Sequence, residues 1–223
     1  MCGLASDPVR TLVIDSATEA CSVALFEHGV LLAGELRMLG RGHAEQLVPM
    51  IAALPGRGRA ARIAVDVGPG SFTGIRVGLA AAKALALAWD AEICGYGALA
   101  LVAAMARAEC NDSAVDVAMS GGHGEWFVQC FASDGTALAP VASLGPAQAA
   151  ALATAPVIAG SQAEALAGLR GDARALPLWP DARAFALLDH AALHADPRPA
   201  YGRAPDARLP SLSASASASA VAA

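Results

Sequence analysis

Apolar positions in the first hundred residues switch between the period of a strand and that of a helix. Thr11–Asp15 (TLVID) is a short continuous apolar run, as expected of a buried strand. Cys21–Glu27 and Val30–Arg37 are two more such runs, and His28-Gly29 between them supplies a hairpin turn. His43–Leu54 then places Leu47, Met50, Ile51 and Leu54 on one helical face before Pro55-Gly56 stops it. Ile63–Val67 predicts another strand, Phe72–Trp89 a long helix and Ile93–Tyr96 a further strand.

The order β-β-β-α-β-α-β is the layout of a ribonuclease-H-like domain. Past a helix over Ala98–Ala108 the pattern restarts more faintly. Val115–Met119, Glu125–Phe131 and Ala137–Ala142 read as strands, with Ser133-Asp134-Gly135 as a turn. A helix at Pro146–Ala153, a strand at Pro156–Ala159 and a helix near Gln162–Leu169 follow. Two successive halves of one type predict an α/β chain with the actin-like (ASKHA) fold of two ribonuclease-H-like lobes. The lobes fall at 1–97 and 98–210. Asp181–Ala195 reads as a last amphipathic helix, and the Ser/Ala alternation of 211–223, with almost nothing to bury, as a disordered tail.

Composition narrows the function classes. Hydrophobic residues make up 56% of the 223 positions but aromatic ones only 4%, and alanine inflates the apolar share. The longest apolar run, Ile93–Ala106, is shorter than the ~18 residues a spanning helix needs, and no secretory signal opens the chain. The expectation is a cytoplasmic protein with no membrane partner. A net charge of −5, with Lys83 the only lysine, leaves little to grip a phosphate backbone, so any nucleic-acid role is expected to be indirect. The five cysteines are far apart and never in a C-x-x-C pair, which fits free thiols and gives no zinc site.

Candidate chemistry concentrates in Val67–Gly78 (VGPGSFTGIRVG). Gly68 and Gly70 around Pro69 make a tight strand-to-helix turn, and Ser71 caps the helix that follows. Such a turn suits an anion or nucleotide phosphate, or is only a structural turn; it lacks the Gly-Lys-Ser/Thr ending of a P-loop. Asp15-Ser16-Ala17-Thr18 resembles the first phosphate loop of actin-like ATPases, or else is a plain Asx or Ser/Thr turn. Gly74, Gly78, Ala82 and Ala86 recur every fourth residue, a smooth ridge for close packing on the chain's own sheet or for a docking helix. Asp15, Glu45 and Asp66 fall on the elements where ribonuclease H carries metal-binding carboxylates. His190 and His194 lack a third ligand, and Gly121-Gly122-His123-Gly124-Glu125 reads as a turn that serves a ligand or only a tight loop. No nucleophile–base pair is identifiable.

Three segments together resemble the bacterial TsaB (YeaZ) family: LVIDSATEACSVALFEHG at Leu12–Gly29, HAEQLVPMI at His43–Ile51 and VGPGSFTGIRVGLAAAKALAL at Val67–Leu87. The resemblance is weaker afterwards. Gly124-Glu125 falls where that family begins an acidic-aromatic strand, and Pro199-Ala200-Tyr201-Gly202-Arg203 resembles its C-terminal proline-x-tyrosine-x-arginine segment.

The resemblance implies a non-catalytic dimerisation and activating subunit in the synthesis of tRNA threonylcarbamoyladenosine. Its implied partners are a TsaD-like catalytic paralogue and a TsaE-like ATPase, or a second copy of itself, with tRNA engaged only indirectly. It implies no cofactor of its own; ATP or ADP would sit at the interface with partners. The docking elements would be the two N-lobe helices, with His43, Leu47, Met50, Gly74, Arg76, Gly78, Ala82 and Ala86 at the interface. Asp15, Ser16, Thr18, Gly68, Gly70 and Ser71 would face phosphate or nucleotide. No metal is implied, because the paralogue's His-x-x-x-His pair would fall at His43 and Leu47, and leucine cannot ligate. The rival readings are a stand-alone actin-like-fold enzyme (a metal-dependent glycoprotease-like peptidase or a phosphotransferase) and a ribonuclease-H-like nuclease. The chain departs from the family in its shorter first helix, in Ser120, Gly121 and Gly122 where acidic and basic residues are common, and in Asp66 where a small residue is more usual.

Overall fold

The structure is a computed structural model that describes residues 9–202. Cys2, Arg203 and the 211–223 extension lie outside the described residues. Strands β1 (Arg10–Asp15), β2 (Ala20–Glu27) and β3 (Val30–Met38) form an antiparallel meander; β4 (Arg62–Asp66) and β5 (Glu92–Tyr96) then add in parallel beside β1. The sheet order is β3-β2-β1-β4-β5. Helices α1 (His43–Ala53) and α2 (Phe72–Trp89) make the crossovers between these strands.

Strand alternation divides the first sheet's side chains between two layers. Leu12, Ile14, Val23, Leu25, Ile63 and Val65 point to one face and pack under Leu47, Met50 and Ile51 of α1 and Ile75, Leu79 and Ala82 of α2. Val13, Ala24, Phe26 and Ala64 point to the other. That second face is covered by α3 (Ala98–Glu109) through Leu101, and by a short 3-10 segment over Ala182–Leu187.

The second lobe repeats the plan. β6 (Val115–Gly122), β7 (Glu125–Phe131), β8 (Ala142–Leu144), α4 (Pro146–Leu152), β9 (Val157–Ala159), α5 (Ala163–Arg170) and β10 (Arg174–Leu176) give the sheet β10-β9-β6-β7-β8. Numbered within its own lobe, this is the order of the first sheet, so the two-lobed actin-like α/β architecture holds. α3 is shared: Leu99, Val102 and Ala106 pack on the second sheet while Leu101 packs on the first.

Three sequence expectations differ from the structure. The strand expected over Ala137–Ala142 is reduced to one bridge between Phe131 and Ala137, and β8 starts only at Ala142, beyond Pro140, whose missing N–H cannot join the ladder. β10 was not expected; three residues carry too little periodicity to be read. The helix expected over Asp181–Ala195 is two short 3-10 turns, Ala182–Leu187 and His190–Ala192. Asp181 and Asp189 each accept a backbone N–H two residues on, from Arg183 and Ala191, and these local turns replace a continuous helix.

Among the described residues α2 has the length and hydropathy of a membrane-crossing helix. Its Ile75, Leu79 and Ala82 side packs on the first sheet.

Candidate functional site

The ends of β1 and β4 lie side by side in the sheet, and the loops leaving them are bonded to each other. Ser71 N–H donates to the Ala17 carbonyl at 2.6 Å, and the Ser16 hydroxyl donates to the Gly74 carbonyl at 2.9 Å. Gly70 and Gly74 lie against the backbone of Ala17 and Ser16 so closely that neither has room for a Cβ. The peptide between Gly68 and Pro69 is cis. Ser71 caps α2 as its position predicts, accepting Gly74 N–H at 3.3 Å.

Beneath this junction sit two acids. Asp15 and Asp66 are almost wholly buried. Asp66 Oδ1 accepts Gly68 N–H at 2.7 Å, and the Tyr96 hydroxyl of β5 lies 3.1 Å from Asp15 Oδ2 as a donor. Burial holds the Asp15 carboxyl well above the usual carboxylate range, and the neighbouring Asp66 charge adds to this. Burial also pushes Asp66 up to about 7, opposed chiefly by the backbone N–H of Gly68.

Above the junction a cleft of about 770 Å³ separates the lobes. Thr18, Gly70 and Ser71 line it from the first lobe, and Ser120, Gly121, Gly122 and His123 from the second. Of the six expected phosphate-facing residues, Thr18, Gly70 and Ser71 therefore reach the cleft. Asp15, Ser16 and Gly68 are not among its lining: the Ser16 hydroxyl bonds Gly74, Asp15 meets Tyr96 and the Ala17 N–H, and the Gly68 N–H bonds Asp66.

The cleft has an element that sequence reasoning did not place there. After the 3-10 turns the chain crosses between the lobes: Ala200 N–H donates to the Val67 carbonyl at 2.7 Å, and Tyr201 packs on Phe72 with ring centroids 5.3 Å apart. Arg76 lies over the Phe72 ring at 3.5 Å, and its Nε donates to the Tyr201 hydroxyl at 2.9 Å. The signal was present as the Pro199–Arg203 motif, but nothing in it says which surface it meets.

The small-residue ridge faces inward. Gly74, Gly78 and Ala82 are buried, and a Cβ on Gly78 would stand 2.6 Å from Ser16 Oγ and 3.6 Å from Val65 Cγ2. His43, Leu47 and Met50 of α1 are likewise buried within the chain. These six residues, expected at a partner interface, are buried within the chain. Ala86 is half-buried against the same core, and Arg76 is exposed but engaged with the strap at Tyr201. What α1 and α2 turn outward is different: Ala44, Val48 and Ala52 on one, and Ala80, Ala84, Leu87 and Ala88 on the other. Val48 is 57% and Leu87 87% exposed.

Glu45 is exposed on the first turn of α1 and does not join Asp15 and Asp66, so the three-carboxylate arrangement of a nuclease does not form. Among the described residues no three His, Cys, Asp or Glu side chains are grouped as metal ligands.

A family model described as "TsaD: tRNA N6-adenosine threonylcarbamoyltransferase" matches residues 37–178, more than half of the chain. The tRNA threonylcarbamoyladenosine biosynthesis protein TsaB of Escherichia coli K12 is 38% identical over 100 residues, covering 43% of each chain. Its counterpart from Haemophilus influenzae is 35% identical over 119 residues, covering 49% of this chain and 50% of that one. The solved structure of YeaZ from Pseudomonas aeruginosa superposes with a TM-score of 0.66 at 28% identity, over 79% of this chain and 88% of that one. The chain belongs to this TsaD-related family, among its TsaB/YeaZ members. It spans about half the length of the curated TsaB relatives it matches. At the position implied for the second metal histidine of TsaD-like paralogues, Leu47 is fully buried in the core.

Proposed function

We propose that this chain is a dimerisation and activating subunit of the machinery that makes threonylcarbamoyladenosine in tRNA, without catalysis of its own. The observation that carries the reading is the outward face of α1 and α2, small and apolar residues around Val48 and Leu87 on two adjacent helices of a TsaB/YeaZ family member. Alanines at Ala80 and Ala84 let a partner's helices approach closely, while Leu87 and Val48 supply apolar area to bury. The partner is a TsaD-like catalyst, with a TsaE-like ATPase joining the pair, or a second copy of the chain when alone. Docking uses the same two helices expected from the sequence, but through their exposed residues.

A net charge of −5 with one lysine supports leaving tRNA to the other subunit. It also supports working away from anionic membranes. ATP or ADP would sit at the border with partners, and Thr18, Gly70 and Ser71 would face its phosphates from the cleft between the lobes. The test is sedimentation of the full chain with the TsaD-like protein of the same source. A heterodimer at micromolar concentration is expected, weakened at least tenfold by Leu87→Glu with Val48→Glu. No association at tens of micromolar, or an unchanged affinity in the double variant, overturns the reading.

A further inference from the structure

Asp66 Oδ2 is buried and has no hydrogen-bond partner among the described residues. An unpaired buried oxygen on an ionised carboxylate is costly, and a second carboxylate beside it makes it more so. Asp15 is that neighbour: Ile14 and Val65 pair in register on the parallel strands β1 and β4, so the two buried acids follow side by side at the strand ends. One proton resolves both costs at once, turning two facing acceptors into a donor and an acceptor and halving the charge. Two carboxyls sharing a site in this way hold a proton well above their ordinary range.

The position of the pair gives that proton leverage. Asp66 Oδ1 takes the N–H of Gly68, whose own carbonyl takes the N–H of Ala98 at the start of α3. Asp15 Oδ1 lies 3.4 Å from Ala17 N, in the loop that accepts Ser71. The pair therefore anchors both loops that line the first-lobe side of the cleft, and α3, the helix shared by the lobes. The titratable groups that bear on it from neighbouring elements are Tyr96 of β5 and the Cys21 thiol of β2, with Asp181, ahead of the 3-10 turns, acting on Tyr96. All are acids, so their ionisation would add negative charge around the pair.

We propose that Asp15 and Asp66 hold one proton between them and that its release to solvent loosens the two loops and the start of α3, making the cleft a proton-sensitive element of the fold. This goes beyond the subunit role and does not depend on it. The sign follows from linkage. The closed form binds a proton that the open form, with ordinary carboxyls, gives up. Opening is therefore favoured as pH rises from the carboxylate range, by up to about tenfold per pH unit, and levels off once the closed form has also lost its proton.

Amide hydrogen exchange of the full chain reads this directly at Gly68 and Ala98, after correction for the intrinsic pH dependence. Opening is expected to increase severalfold to tenfold per unit between pH 5 and about 7. Asp66→Asn keeps an oxygen for Gly68 N–H and offers Asp15 an N–H that does not titrate, so its profile is expected to be flat. A flat profile in the parent, or the parent's slope retained in Asp66→Asn, overturns the proposal. Carboxyl-carbon NMR of the parent reads the proton without any substitution. One carboxyl of the pair should titrate near neutrality or above, and both titrating in the ordinary range near 4 would overturn it.

Discussion

The Ser16 hydroxyl donates to the carbonyl of Gly74 at 2.9 Å, locking the end of the first strand against the first turn of α2. Because of this approach the glycines of α2 are internal packing residues. Gly78→Leu is therefore expected to destabilise the monomer by about 3 kcal/mol or more, and Gly74→Ala to be destabilising as well, because each forces the helix off the sheet. Urea unfolding should show a lower midpoint at unchanged slope. An outward change on the same helix, Ala84→Arg, should stay within about 0.5 kcal/mol of the parent.

The strap is held by one exposed cluster. Removing the guanidinium in Arg76→Ala loses both the bond to Tyr201 and the contact over Phe72. The cost should be about 1 kcal/mol. It should appear as severalfold faster exchange of the Ala200 amide, which bonds Val67. Lys83→Ala, on the exposed side of the helix, should leave that amide unchanged.

Burial pushes the Cys21 thiol up to about 12, and burial together with Asp116 does the same for Cys130. At pH 8 this leaves roughly a thousandfold fewer thiolates than in the unfolded chain. Alkylation followed by mass spectrometry should find both sites at least a hundredfold slower in the native protein than in urea.

In the second lobe Asp116 Oδ2 accepts the N–H groups of Thr154 and Ala155 at 2.6 and 2.7 Å, and lies 3.8 Å from the largely buried Arg170 guanidinium. Asp116→Ala strands the two backbone donors, while Arg170 keeps Asp172 at 2.9 Å, so a loss of about 2–4 kcal/mol is expected in thermal or urea unfolding. Asp116→Asn should recover part of it by restoring an acceptor.

Most of the first lobe was legible because each strand there carries a run of apolar residues and each helix an apolar face. Residues such as Leu12 and Ile14 against Val13 state their two layers outright. The second lobe was fainter because β8, β9 and β10 are three residues each; β9 was read from its apolar run, while β8 was misplaced and β10 missed. The 181–195 segment misled because Phe185, Leu188 and Leu193 recur at roughly helical spacing, while Asp181 and Asp189 spend their carboxylates on local turns. At the site, the residue types and both loops were readable. Their orientation was not: a glycine ridge looks the same whether it meets a partner or the sheet beneath it. Of the three carboxylates expected on converging elements, Asp15 and Asp66 end the paired parallel strands β1 and β4, while Glu45 stays exposed on α1.

The returning segment after residue 181 also governs how the molecule comes apart. Ala182 and Phe185 close the face of the first sheet that Val13, Ala24 and Phe26 present, and His194 pairs with Gly95 at the sheet's far end. A polypeptide stopped at residue 97 would have every strand of the first sheet yet leave that face bare. The two lobes should therefore melt in a single transition, and each half produced alone should be a sticky, incompletely folded fragment. Mixing the separated halves, rather than diluting either one, should be what restores the native spectrum.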